Sequence, residues 1–109
     1  MEDLELRFEK TVFALGKAGE RYASAKALSW HMQELRKVIL ATEASKFDGS
    51  EALKERLARS SKAYRTHLDG TMEAIEKEMK HKCRYEKLKA QFEAYRSLGS
   101  LEKAKMQIT

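Results

Sequence analysis

The residues of this chain best suited to chemistry are three histidines, one cysteine and a dense basic segment. His31, His67 and His81 are too widely spaced for two of them to hold a metal ion from one helix, which requires a separation of three or four residues. Glu78 and His81 have the Glu-x-x-His spacing of di-metal helical bundles, but the motif occurs only once. We therefore expect no metal site and no cofactor, with the histidines at boundary or surface positions.

Catalytic signatures are missing from the sequence as well. It contains no glycine-rich phosphate loop and no Gly-x-Ser-x-Gly elbow, and Cys83 belongs to no cysteine–histidine nucleophile signature. Catalytic sites occupy concave pockets, and a helical hairpin offers little concavity. We expect a protein that is not an enzyme.

The most function-like feature is a basic segment that runs from Lys77 to Lys89. Lys80, Arg84 and Lys87 recur at steps of four and three residues, which places them on one helix face that can follow a phosphate backbone. The candidate residues for binding nucleic acid or an acidic partner are Lys80, Lys82, Arg84, Lys87 and Lys89. A solvated charged face, diluted by nearby glutamates, is the alternative interpretation.

These residues must be positioned by long helices. The 109 residues include no proline, and apolar residues recur at helical spacing almost from end to end. We predict one all-α domain: a helix over about 2–46, a turn at 47–50, a helix over about 51–98 and a helical tail at 99–109. Asp48 and Gly49 suit a chain reversal, and Ser50 suits a helix N-cap. The expected fold is a long antiparallel helical hairpin with a short C-terminal helix.

The apolar stripe of each predicted helix contains one change of register. In the first helix it falls between Tyr22 and Leu28, and in the second between Met79 and Tyr85. The first stripe reads Phe8, Val12, Leu15, Gly19, Tyr22, Leu28, Met32, Leu35 and Ile39. The second reads Leu53, Leu57, Tyr64, Leu68, Met72, Ile75, Met79, Tyr85, Leu88, Phe92 and Tyr95.

Glycines mark the points at which these helices can bend. Gly16 and Gly19 lie near the first change of register, where they favour either a kink or a close helix contact. Gly70, between Asp69 and Thr71, is a candidate break in the second helix because Thr71 can cap a new one.

The narrow core of a two-helix hairpin favours association. We expect a homodimer that forms a four-helix bundle, with a further protein partner. An exposed Trp30 would be a good anchor for such a partner. The candidate residues for an oligomer or partner interface are Trp30, Met32, Leu35, Ile39, Tyr64, Leu68, Met72, Ile75 and Met79.

Charge and hydropathy set the expected compartment. The net charge is +5, and the excess lies in residues 51–109. This is a modest field that favours acidic partners. The acidic N-terminus does not resemble a signal peptide, and no segment approaches the roughly 18 apolar residues of a membrane span. The single cysteine fits a reducing compartment. We expect a soluble cytoplasmic protein that makes no membrane contact.

Two segments near the C-terminus resemble a group of known proteins. They are Gln91-Phe92-Glu93-Ala94-Tyr95-Arg96-Ser97 and Leu101-Glu102-Lys103-Ala104-Lys105-Met106. They are similar to the C-terminal end of small all-helical proteins encoded by phages and prophages, some of which lie near recombination or single-strand-binding genes. The resemblance implies a phage accessory protein of the host-cell cytoplasm, without a reaction or an assigned binding site.

These observations favour a non-catalytic binding or adaptor protein that acts on DNA-processing or host-defence machinery through protein contacts. The first alternative is a protein that binds nucleic acid through the basic face of the second helix, with strong salt dependence. The second alternative is a purely structural coiled-coil oligomer, which would be a stable assembly without a partner.

Overall fold

The computed structural model describes residues 2–108, which form three helices and no strand. α1 spans Glu2–Ala44, α2 spans Glu51–Arg59 and α3 spans Lys62–Ile108. The chain divides into a first unit, Met1–Ala23 with Lys80–Thr109, and a second unit, Ser24–Met79. Within each unit α1 packs antiparallel against α3, so the predicted all-α helical hairpin is confirmed.

The chain reverses where the sequence predicted. Residues 45–50 connect α1 to α2, and Gly49 has a φ of 124°, which other residues rarely adopt because their Cβ atoms would clash. A Cβ added to Gly49 would also lie 2.9 Å from Cδ2 of Leu53. The Ser50 side chain accepts a hydrogen bond from the Leu53 N–H at 3.2 Å and so caps α2.

The break in the second half of the chain lies at Ser60 and Ser61 rather than at Gly70. Ser61 Oγ accepts a hydrogen bond at 3.2 Å from a backbone N–H in the first turn of α3. Serine hydroxyls compete for backbone hydrogen bonds, so a serine pair ends one helix and begins the next. The single helix predicted over 51–98 is therefore two helices, and α3 continues through Gly70.

The C-terminal end of α3 also differs from the prediction. The helix continues through Gly99 and Ser100 to Ile108, so the residues expected to form a separate tail are its last turns. A glycine costs only about 1 kcal/mol in a helix interior, which is too little to stop a helix of this length.

The side chains of α1 and α3 that face each other recur at steps of three or four residues, as in a coiled coil. We call these positions the seam. In the first unit the seam comprises Leu4, Phe8, Thr11, Leu15, Ala18 and Tyr22 of α1, with His81, Tyr85, Leu88, Phe92, Tyr95 and Glu102 of α3. In the second unit it comprises Ala25, Ser29, Met32, Leu35, Ile39 and Glu43 of α1, with Tyr64, His67, Thr71, Ala74 and Glu78 of α3.

The predicted change of register in α1 is wrong. The seam passes from Tyr22 through Ala25 to Ser29, which is fully buried, whereas Leu28 is 51% exposed. The hydrophobic pattern placed Leu28 in the stripe because it is larger and apolar. The buried position belongs to Ser29, whose small side chain lets the helices approach closely. No change of phase in α1 is therefore required.

The predicted change of register in α3 is wrong for the same reason. The seam passes through the small Ala74 and the polar Glu78 and His81, which the apolar pattern did not count. Met72 and Met79 are instead 61% and 60% exposed. Large apolar side chains in this part of α3 therefore point away from α1.

Aromatic contacts set the register of the first unit. The rings of Phe8 and Phe92 are stacked with their centroids 5.2 Å apart, and those of Tyr22 and Tyr85 lie 5.8 Å apart. Gly19 provides the space for Tyr85, since a Cβ at Gly19 would lie 3.4 Å from that ring. Of the two roles predicted for Gly19, a kink or a close helix contact, the structure shows the close contact.

Polar contacts occupy the corresponding place in the second unit. His67 Nε2 donates a hydrogen bond to the Met32 carbonyl oxygen at 2.8 Å, which links α3 to α1. Thr71 Oγ1 donates to the His67 carbonyl at 2.9 Å, and the buried Ser29 hydroxyl accepts from Gln33 at 3.0 Å. Among the described residues that are not exposed, no buried side-chain nitrogen or oxygen lacks a hydrogen-bond partner, as a packed polar seam requires.

The position of the seam can be tested with two alanines of α1. Ala18 is 1% exposed in the seam, whereas Ala23 is exposed. Ala18→Glu should lower the free energy of unfolding by about 3 kcal/mol or more, because it buries an unpaired charge. Ala23→Glu should change it by less than about 0.5 kcal/mol. Thermal unfolding followed by circular dichroism measures both, and equal effects would contradict this seam.

Candidate nucleic-acid interface

The five predicted basic residues of α3 lie in the first unit, but on two different sides of the seam. Lys80, Arg84 and Lys87 each come immediately before a seam residue, whereas Lys82 and Lys89 each come immediately after one. Because a helix turns by about 100° per residue, these two sets flank the seam on opposite sides. The structure thus groups three of the five predicted residues and separates the other two from them.

Basic residues of α1 also come immediately before seam residues, as Lys80, Arg84 and Lys87 do on α3. Lys10 precedes Thr11, Lys17 precedes Ala18 and Arg21 precedes Tyr22, all of which are seam positions. All three basic residues are exposed. Sequence reasoning missed them because the α1 stripe was placed on Val12 and Gly19 instead of on Thr11 and Ala18.

The two basic rows lie on the same side of the first unit. When two antiparallel helices face each other, the residues that precede a contact on each helix are displaced toward the same side. Arg21 and Arg84 directly precede Tyr22 and Tyr85, whose rings are in contact. We call the resulting surface the basic face; its six central cations are Lys10, Lys17, Arg21, Lys80, Arg84 and Lys87, and Arg7, which precedes Phe8, extends the α1 row.

Acidic residues are sorted away from the basic face. Within residues 7–21 and 80–91 the only carboxylates belong to Glu9, Glu20 and Glu86. Glu9 and Glu86 lie on the opposite side of the seam, with Lys82 and Lys89, and Glu20 lies on the side of α1 that is turned away from α3. The six central cations of the basic face therefore have no carboxylate among them, and Asp3, which precedes Leu4, lies on the same side near the beginning of α1.

The basic side chains of the basic face are exposed, and they are close enough to attract an anion together. All six central side chains are exposed, and no carboxylate within residues 2–108 forms an ion pair with Arg21, Arg84 or Lys87. Packed helices lie about 8–10 Å apart, which is close to the Debye length at physiological salt, so the two rows act together on an anion. Most of the net charge of +5 belongs to this unit, which has twelve basic and eight acidic residues against ten and nine in the second unit.

The residues predicted to form a protein interface lie in the second unit, in two groups. Five of them come immediately after a seam residue and share one side of the unit, which we call the apolar face: Trp30, Leu68, Met72, Ile75 and Met79. Trp30 is 65% exposed, and Ile75 is half-buried. The other four pack within the chain and belong to the seam: Met32, Leu35, Ile39 and Tyr64.

Other features offer less for chemistry. A cavity of about 360 Å³ in the first unit is lined by Leu4, Phe8, Tyr95 and Gly99, with charged side chains at its rim. Cys83 is exposed. Within residues 2–108 no cluster of histidine, cysteine, aspartate and glutamate is placed to hold a metal ion. In the same range no helix is both long and apolar enough to cross a membrane.

Comparison of the chain with protein-family models, with curated proteins and with solved structures gave no match.

The crowding of like charges on the basic face predicts a stability effect that requires no ligand. Arg21→Glu places a carboxylate beside Arg84 and should stabilise the protein by about 0.5 kcal/mol at low ionic strength. Lys82→Glu is the control with the same change in net charge. It creates a carboxylate four residues from both Glu78 and Glu86, and so should destabilise the protein by a similar amount.

Thermal unfolding in low and high salt measures both effects, and each should fade as salt screens the charges. A lower melting temperature for Arg21→Glu at low salt would contradict the proximity of the two arginines.

Proposed function

We propose that this chain is a non-catalytic helical protein that binds nucleic acid through the basic face. The observation that supports this proposal is the sorting of charge in the first unit. Within residues 7–21 and 80–91, basic side chains precede the seam residues of both helices, and the three carboxylates of these segments lie elsewhere. A surface that serves only solubility needs no more than a mixture of positive and negative charges. A surface that binds a phosphate backbone needs positive charges gathered on one side.

The mechanism of binding is the displacement of counterions from phosphates. Six lysine and arginine side chains on two rigid helices neutralise up to about six phosphates, so the affinity should fall roughly 1,000-fold between about 50 and 200 mM salt. Contacts of this kind position a protein on the backbone and carry no sequence information. The protein should therefore bind with little preference for base sequence.

Two triple variants with the same net charge separate the basic face from general charge. Arg21→Gln with Arg84→Gln and Lys87→Gln should weaken binding about 100-fold or more, because three phosphate contacts are lost. Lys82→Gln with Lys89→Gln and Lys103→Gln removes three exposed cations that follow seam residues, and should weaken binding less than about 5-fold.

Fluorescence anisotropy with a labelled DNA duplex at several salt concentrations measures both variants, and circular dichroism confirms that each is folded. Equal losses in the two variants would show that net charge alone attracts the DNA. The absence of binding at low salt would overturn the proposal.

The apolar face of the second unit supports a second function, association with a second copy of the chain. Leu68, Met72, Ile75 and Met79 are spaced by four, three and four residues, which is the spacing of a helix-packing seam. Trp30 of α1 lies on the same side of the unit. A matching surface on a second hairpin would cover these side chains and complete a four-helix bundle.

The variant Met72→Glu tests this association, because a carboxylate at the centre of the apolar face should convert a dimer into a monomer. Thr66→Glu is the matched control, since Thr66 is exposed and precedes a seam residue on the other side. Sedimentation equilibrium gives the mass of each protein. A wild-type chain that is monomeric at about 0.1 mM, where even a weak dimer associates, would contradict the dimer.

The two surfaces together support an accessory role in which no reaction is catalysed. A dimer that forms through the apolar face carries two basic faces, and so can bind DNA more tightly than one copy of the chain. An accessory role in phage DNA processing, in the cytoplasm of the host cell, is the setting that we propose for this protein.

A further inference from the structure

We infer that the basic face is built for double-stranded rather than single-stranded nucleic acid. This inference deepens the proposed function and depends on it. It follows from two properties of the face: its cations form two rows, and among the described residues no exposed aromatic ring lies between the rows.

The two rows match two strands. Lys10, Lys17 and Arg21 follow α1, and a second row of three follows α3, whose axis lies at the usual helix-packing distance of about 8–10 Å from that of α1. A single strand offers one row of phosphates, so it can engage one of these rows at a time. A duplex offers two rows, one on each side of a groove that is about 6 or 12 Å wide, and this range includes the separation of the helices.

Proteins that bind single strands usually stack the unpaired bases on exposed aromatic rings. In the first unit the rings of Phe8 and Phe92, and those of Tyr22 and Tyr85, are packed against one another in the seam. Tyr95 is also a half-buried seam residue. These rings pack in the seam between α1 and α3, so they are not available to stack on a base.

Phe13 is the exposed aromatic ring of the first unit, and it does not serve the basic face. Its position on α1 is turned away from α3, two residues from Thr11 and Leu15 of the seam. The Lys17 ammonium lies 5.4 Å from the centre of its ring, which is a cation–π contact. The ring is therefore occupied by a lysine ammonium at the outer edge of the unit and is not placed between the two rows.

The length of the rows sets the size of the duplex site. At 1.5 Å per residue, the row from Lys10 to Arg21 is about 17 Å long and the row from Lys80 to Lys87 about 11 Å long. A B-form duplex rises 3.4 Å per base pair, so the longer row covers about five base pairs. A site of this length stays within one groove and does not require the DNA to bend.

The test compares a labelled hairpin DNA with an unstructured strand that has the same number of phosphates, in the same buffer. The duplex stem should bind at least about 10-fold more tightly, with a slope of log affinity against log salt of about −5. Affinity should rise as the stem is lengthened to about six base pairs, and then change only by the statistical factor for overlapping sites.

A one-row variant tests the geometry directly. Arg7→Gln with Lys10→Gln, Lys17→Gln and Arg21→Gln removes the α1 row and leaves the α3 row in place, so the protein should bind the hairpin and the strand with equal affinity. The variant with Lys82→Gln, Lys89→Gln and Lys103→Gln should retain the duplex preference. Circular dichroism shows whether each variant retains its helices.

The outcomes separate the inference from the proposed function. Equal or tighter binding of the single strand by the wild type would overturn the duplex assignment and leave nucleic-acid binding intact. A duplex preference that survives in the one-row variant would overturn the two-row geometry. Binding of neither DNA would overturn both proposals, and binding only to vesicles of anionic lipid would assign the basic face to a membrane surface.

Discussion

The close packing of α1 against α3 along a regular seam is the constraint on which the other features depend. The seam uses small side chains, Ala18, Ser29 and Ala74, at positions where a larger residue would force the helices apart. Once these residues are buried, the angular position of every other residue is set by the helical repeat. The helical repeat thereby places the cations of the basic face on one side of the first unit. It also places the side chains of the apolar face outside the seam of the second unit.

The two units stabilise the same helix pairing by different physical means. The first unit relies on aromatic stacking between Phe8 and Phe92, which buries a large apolar area. The second places Ser29, His67 and Thr71 in its seam, and each has a hydrogen-bond partner. The Ser29 and Thr71 bonds lie within their own helices, whereas the His67–Met32 bond joins α3 to α1, so a shift in register would break that bond and leave the His67 ring nitrogen unpaired.

Concentrating cations on one face carries an energetic cost that a purely structural protein would not need to bear. Like charges on neighbouring helices destabilise the folded state, and the cost is largest at low salt. A bound polyanion removes that repulsion and adds favourable contacts. This arrangement of charge in the first unit is the reason that we propose binding, since alternating charges suffice for solubility. Affinity and stability would then share one salt dependence, since both arise from the same six side chains.

The sequence by itself determined the helical class, the reversal at Asp48 and Gly49, and the cap at Ser50, because these depend on local backbone preferences. It also identified Lys80, Arg84 and Lys87 as one face, since their spacing on one helix is local. Only the tertiary structure decided which residues form the seam. Small and polar residues such as Ala25 and Glu78 give no hydrophobic signal, yet packing places them inside. The partnership of the α1 row with the α3 row therefore required knowledge of which residues of two distant segments face each other.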